Sequence, residues 1–322
     1  MAAYGTYDYQ MIFNANRNII GANPNGFEEG TILHIPCEDG RLTKDSLDLQ
    51  EQVALDEKAH ENLGVPTSYE PPLKLVTGGG WEPFAGEKLS GQGFMVRLAT
   101  TSLHRGENNR DYKVSFVNDW GSHTETLLPS GAFDVSIAWY IPDCTKLELL
   151  SEASVRRCTE LDFTVPVYES VIGYFSVPGN KFANAQKFSD YEGARVCRLE
   201  GTFTHDLEEE GLAPPKIEMV HPQTATACFE ALMNGTADVA GMEMETAQGA
   251  MNKMGLTYKE VVQNPNLSKL LTMRFVTHKA NPRGRVYIAM LNRGLNEMRE
   301  SGEWYDIVAA GLAEYHNLTQ TN

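Results

Sequence analysis

Arg157, within Arg157-Cys158-Thr159-Glu160-Leu161-Asp162-Phe163-Thr164, brings a guanidinium that could hold a small anion. A guanidinium is always charged, and its planar fork meets a carboxylate through two parallel hydrogen bonds, which an ammonium cannot do. Local sequence alone reads equally well as one of two surface arginines, since Arg156 stands beside it. Trp139 and Tyr140 close the apolar run Val135–Tyr140. Aromatic rings there could stack on an apolar or cationic ligand, or simply pack inside a lobe. Other chemistries find little support. The five cysteines include no C-x-x-C pair, and the eight histidines no H-E-x-x-H, so a zinc centre is not expected. Gly78-Gly79-Gly80 is not followed by the Lys-Ser/Thr of a phosphate loop. No nucleophile–base pair stands out, and no cofactor or catalytic residue is expected.

The elements that must place these residues read as mixed α/β. Val135, Ile137 and Trp139 alternate with Ser136 and Ala138, predicting a strand with those two sets on opposite faces. Further strands are expected at Leu73–Thr77, Tyr112–Val117, Arg195–Leu199 and Leu270–Lys279. His123–Leu128 reads as a helix. So does Thr224–Asn234, with Cys228, Ala231 and Leu232 on one face and Gly235 as its stop. A helix after Pro282 carries Ile288, Leu291, Leu295 and Met298 on one side. A chain of 322 residues has room for two lobes and an appendage. A net charge of −16 argues against nucleic acid or an anionic membrane as partner, because both need a basic face. Met1-Ala2-Ala3-Tyr4 lacks the basic start and apolar core of a signal peptide, so an exported protein would be represented here in trimmed form.

The run from Arg157 through Asp162-Phe163-Thr164 to Pro166 and Tyr168 resembles the polar amino acid receptors of ABC transporters, the family-3 extracellular solute-binding proteins. There an arginine gripping the ligand carboxylate precedes a D-F-S-x-P-Y run. This chain departs by Thr164, by a valine before Tyr168, and by a longer segment between Trp139 and Arg157. Other stretches match in order. Trp81-Glu82-Pro83-Phe84 is similar to the family's first loop, whose aromatic covers the ligand. Glu200-Gly201-Thr202 resembles a G-T-T turn that opens a helix toward the carboxylate, with Gly201 letting the backbone approach. Gly235-Thr236-Ala237-Asp238 leads to Glu243, where the family has an aspartate for the ligand ammonium. Met95 and Arg97 replace two family aspartates, and Glu303-Trp304 resembles the closing segment that packs on the first lobe.

The resemblance implies a two-lobe, type II periplasmic-binding-protein architecture with two hinge crossovers and a small α+β appendage. Residues 73–170 and 277–322 would form lobe 1, and 171–276 lobe 2. It further implies a periplasmic, non-enzymatic receptor that hands a small solute to a membrane ABC transporter permease. Arg157 and Thr202 would hold a carboxylate, Glu243 an amine, and Trp81, Trp139 and Tyr140 the apolar walls. In an oxidising compartment Cys144–Cys158 and Cys197–Cys228 are plausible bridges, with Cys37 left over. Residues 1–40, in which Thr31-Ile32-Leu33-His34-Ile35-Pro36 is an expected strand, resemble the later half of a LysM module. That would add peptidoglycan as a partner, and 41–72 would be a connector. Two other functions stay open: a dehydratase-like enzyme using Glu243 or Glu200 as proton carrier, and a wall-tethered sensor domain.

Overall fold

Short apolar runs bounded by glycine and proline become the strands of one sheet. In the computed structural model, the described residues are 71–108 and 110–320, with residue 16 and residues 31–33. The LysM-like segment, the connector and Cys37 therefore lie almost wholly outside the described residues. Residues 31–33, part of the strand expected at Thr31–Pro36, are in no regular element.

The strands are β1 (Leu73–Thr77), β2 (Tyr112–Phe116), β3 (Val135–Tyr140), β4 (Leu161–Phe163), β5 (Tyr168–Ser176), β6 (Arg195–Cys197), β7 (Glu218–Val220), β8 (Val239–Glu243) and β9 (Val262–His278). Their order is β2-β1-β3-β9-β5-β8-β6-β7, with β4 pairing β9 outside this path. In the first lobe β1 lies parallel to β2 and β3; in the second, β6 lies parallel to β7 and β8. The antiparallel pair β5–β9 joins the lobes, with Tyr168 opposite Met273 at one end and Ser176 opposite Val262 at the other. The return strand is thus eight residues longer at its start than the expected Leu270–Lys279. Its early half pairs with β5, whose alternation the polar run Gln263-Asn264-Pro265-Asn266 conceals in sequence.

Six longer helices cover the sheet: α1 (Phe94–Arg105), α2 (Glu152–Glu160), α3 (Ala225–Met233), α4 (Met244–Met254), α5 (Gly284–Ser301) and α6 (Glu303–Gln320). α1 buries Phe94, Met95, Leu98 and Leu103, and α5 buries Leu291, Leu295 and Met298 in the same core. Gly294 permits their contact, since a Cβ there would stand 1.8 Å from the Ser102 carbonyl oxygen. The second lobe has its own core around Phe175, Cys228, Phe229 and Met242. Capping follows from sequence. Thr224 accepts a hydrogen bond from the Ala227 N–H at 3.2 Å to start α3, and Gly255 ends α4 in the left-handed region at φ 66°. Trp304 is half-buried against the first core, and its indole N–H donates to the Val167 carbonyl at 2.9 Å. Two disulfides are formed, Cys144–Cys158 and Cys197–Cys228. The first ties the loop after β3 to α2; the second ties β6 to α3.

β3 breaks the expected alternation. Ser136 pairs with Val276 but Trp139 with Arg274, a one-residue register shift, and Ala138 takes a positive φ of 68°. Such an extra residue is a bulge. Ile137, Ala138 and Tyr140 join the first core, while Trp139 turns to a separate cluster with Leu128, Phe163 and Val276. Trp139 is therefore on the side of Ser136, not that of Val135 and Ile137.

Candidate ligand-binding site

The carboxyl ends of the parallel strands of both lobes meet around one cavity of about 310 Å³. This is where open α/β sheets place ligands, because the loops there are free of the sheet's own pairing. β1 delivers Gly79, Gly80 and Trp81; β2 delivers Asn118 and Trp120; β3 delivers Ala138, Trp139 and Tyr140. From the second lobe come Leu199, Gly201, Thr202 and Phe203 after β6, Gln223 and Thr224 after β7, and Glu243 at the end of β8. Arg157 reaches the cavity from the last turn of α2. The seven residues expected to bind ligand, Arg157, Thr202, Glu243, Trp81, Trp139, Tyr140 and Gly201, all lie on this one wall.

Five aromatic rings line the cavity: Trp81, Trp120, Trp139, Tyr140 and Phe203. Trp81 meets Trp120 edge-on at 5.4 Å between ring centroids, Trp120 meets Trp139 at 5.8 Å, and Tyr140 meets Phe203 at 4.5 Å. These spacings and tilts are those of favourable edge-to-face pairs. Arg157 lies over the Trp139 ring at 4.9 Å and donates from Nη1 to the Tyr140 carbonyl at 3.1 Å. Its remaining donors have no hydrogen-bond partner among the described residues, so they are available to an anion. Burial lowers the Arg157 pKa to about 10, with Glu208 acting the other way, and it stays charged at neutral pH. Glu243 is 4% exposed. Its Oε1 accepts from the Tyr140 hydroxyl at 3.1 Å. Burial raises the Glu243 pKa above the ordinary 4.5; Tyr140, Arg198 and Trp81 pull it back.

Thr202 corrects one expectation. Its N–H and its hydroxyl both donate to the Leu199 carbonyl, at 3.2 and 2.7 Å. No helix opens at Thr202; a four-residue turn begins at His205. The tight Leu199–Thr202 turn consumes the donors that a carboxylate would have used. Gly201 holds the turn at φ 73°, and a Cβ on it would come within 3.3 Å of the Trp120 Cβ. Gly201→Ala is expected to cost about 1–2 kcal/mol through the left-handed conformation. It should also displace Trp120, read as a change in tryptophan fluorescence. Arg97 sits on α1 against Gly91 and is not part of the cavity wall, and Asp238 pairs with Arg195 at 2.9 Å.

No family model matches the chain, and no curated protein matches it. Solved structures do. One is an amino acid ABC transporter substrate-binding protein, AbpA, from Streptococcus pneumoniae bound to L-arginine. It is 15% identical with a TM-score of 0.58, covering 80% of this chain and 98% of that one. A histidine kinase sensor domain with similarity to periplasmic binding proteins is 17% identical, TM-score 0.59, covering 76% and 97%. An ancestral amino acid-binding protein, a precursor of cyclohexadienyl dehydratase, is 17% identical, TM-score 0.56, covering 80% and 99%. The chain has the two-lobed periplasmic-binding-protein fold.

Within that periplasmic-binding-protein fold, a layer beneath the cavity escaped the sequence reading. Arg198, 1% exposed, pairs with the fully buried Asp206, which also accepts from the Tyr174 hydroxyl at 2.6 Å. Burial acts to lower the Arg198 pKa, but Asp206, Tyr174 and Glu243 together bring the net shift upward. His205, equally buried, is held well below its ordinary value by burial and by Arg157, Arg198 and Lys269. Trp120, Asn118, Phe203, Gln223 and Thr224 were also missed as wall residues. The usable signal was position: each follows the carboxyl end of a strand within a few residues.

Proposed function

We propose that this protein is an extracytoplasmic receptor that captures a small, amino-acid-like zwitterion between its lobes and passes it to a membrane ABC transporter permease. The observation that carries the reading is that Arg157 and Glu243, of opposite charge, both line one cavity between the lobes together with aromatic rings. Arg157 takes the carboxylate through its free donors, Glu243 the ammonium, and Trp81, Trp139 and Tyr140 the apolar body. Gly201 and Thr202 shape the wall, with Arg157 carrying the charge. Burying both ligand charges is tolerable because each meets a partner. The two disulfides support an oxidising compartment, the periplasm. Hinge closure about β5 and β9 would enclose the ligand.

A thermal-shift screen of amino acids, betaines, polyamines and simple organic acids tests this. A ligand at 100 times its dissociation constant adds about 2.7 kcal/mol, or roughly 5–10 °C for a cooperative unit of lobe size. Hits confined to acids without an amine would remove Glu243 from the clamp.

The raised pKa of Glu243 sets a pH dependence. A carboxyl with a raised folded-state pKa contributes its stability below the ordinary 4.5 and loses it as pH rises through the folded value. Its charge, needed for the ammonium, is lost in the opposite direction. Zwitterion affinity should therefore begin to fall on acidification while still above pH 4.5. Titration calorimetry across pH checks this, and Glu243→Gln should flatten the profile. The same raised pKa favours a second reading, a proton-transferring enzyme with Glu243 as the carrier; turnover of prephenate-like acids would decide for it.

A further inference from the structure

The Arg157 guanidinium rests on Trp139, so whatever fixes that ring fixes the guanidinium. Trp139 is set by two features outside the cavity. The first is the bulge. Regular alternation would place Trp139 on the face of Ile137, and the extra residue at Ala138 turns it to the face of Ser136. A non-glycine residue held in the left-handed region is strained, and a bulge beside a site commonly re-aims a side chain. The second is a buried hydrogen-bonded chain. The Trp139 indole N–H donates to Ser136 Oγ at 2.7 Å, Ser136 Oγ lies 3.1 Å from His123 Nδ1, and His123 Nε2 lies 2.7 Å from the Val117 carbonyl. Ser136 and His123 are both fully buried, and neither lines the cavity.

Chemistry assigns every proton in this chain. A carbonyl only accepts, so Nε2 of His123 carries the hydrogen. Burial lowers the His123 pKa and favours neutral imidazole, in which Nδ1 is then an acceptor that the Ser136 hydroxyl fills. The Ser136 oxygen is left to accept the indole N–H, the only role an indole nitrogen can partner. Each member has one partner for each role, so the indole has one satisfied orientation. A buried network satisfied throughout specifies a single arrangement.

We propose that Ser136 and His123 are positioning residues: through this chain they lock Trp139, re-aimed by the Ala138 bulge, as the plate on which Arg157 is presented to a ligand carboxylate. The last link rests on the reading of Arg157 given above; the chain itself does not.

The test needs no ligand. In protein labelled with ¹⁵N, His123 should show the Nε2–H tautomer, and the Arg157 side-chain N–H signals should be displaced by the Trp139 ring current. In Ser136→Ala that displacement should be lost. The Trp139 indole N–H should exchange roughly five- to tenfold faster, as expected for one lost neutral hydrogen bond. An Nδ1–H tautomer in the unaltered protein overturns the proposal, and that measurement stands even if Ser136→Ala fails to fold. Unchanged Arg157 and Trp139 signals in a folded Ser136→Ala also overturn it, and leave the ligand reading intact. Should Arg157→Ala bind zwitterions as before while Ser136→Ala still moves both signals, the ligand reading fails and the chain stands.

Discussion

Arg157→Ala should abolish capture of carboxylate ligands and leave the fold in place. Truncating one partner of a buried, hydrogen-bonded charge pair costs 2–5 kcal/mol or more, which is about 30- to several-thousand-fold in affinity. Part of that is the penalty of leaving the ligand carboxylate buried without a partner. The fold should survive because Arg157 contributes one hydrogen bond, to the Tyr140 carbonyl, and a stacking contact with Trp139. Its neighbour Cys158 still ties α2 to the loop after β3. Titration calorimetry with the best zwitterion from the thermal-shift screen measures the loss, and circular dichroism checks the fold. Arg157→Lys should recover little, because an ammonium lacks the planar fork. Unchanged affinity in Arg157→Ala would place the anion site elsewhere.

Asp206→Ala should be the most destabilising single change beneath the site. Removing one member of a fully buried ion pair costs about 3–5 kcal/mol, since the remaining charge loses its hydrogen-bonded partner. Here the stranded group is Arg198, and the Tyr174 hydroxyl loses its acceptor too. For a unit of this size that is roughly 6–20 °C in melting temperature. Arg105–Glu303, at 2.9 Å, makes the contrast: its side chains are 48% and 31% exposed. Such a pair is worth about 0–1 kcal/mol, and Glu303→Ala should scarcely move the melting curve. The cause can be separated from lost packing. The double replacement Arg198→Met with Asp206→Leu removes both charges and fills the space, and should be more stable than Asp206→Ala alone. If it is equally unstable, packing and not the stranded charge sets the cost.

Much of the sheet was legible because local rules agree with the global fold there. β1, β2 and the helices α3 and α5 fall where apolar periodicity and caps place them, and Thr224 and Gly235 punctuate α3 as sequence suggests. Return strand β9 was half hidden because its early part pairs across polar residues, where alternation carries no signal. The turn at Thr202 was misjudged because the number of residues between Leu199 and the helical turn decides whether its donors face inward or close on Leu199.

The sequence by itself determined which residue types are available: a guanidinium in Arg157, a carboxylate in Glu243, and tryptophans following strand ends, together with the α/β alternation that brings strand ends to one edge. Only the tertiary structure decided which of them meet and how they face. Arg198 and Asp206 are eight residues apart and look like ordinary surface charges until burial makes each the other's requirement. Trp139 reads as a neighbour of Ile137 in any period-2 pattern. One extra residue in β3, set against β9 more than a hundred positions away, turns it to Ser136 and under Arg157. Register is a property of two strands together, and a single strand's sequence does not contain it.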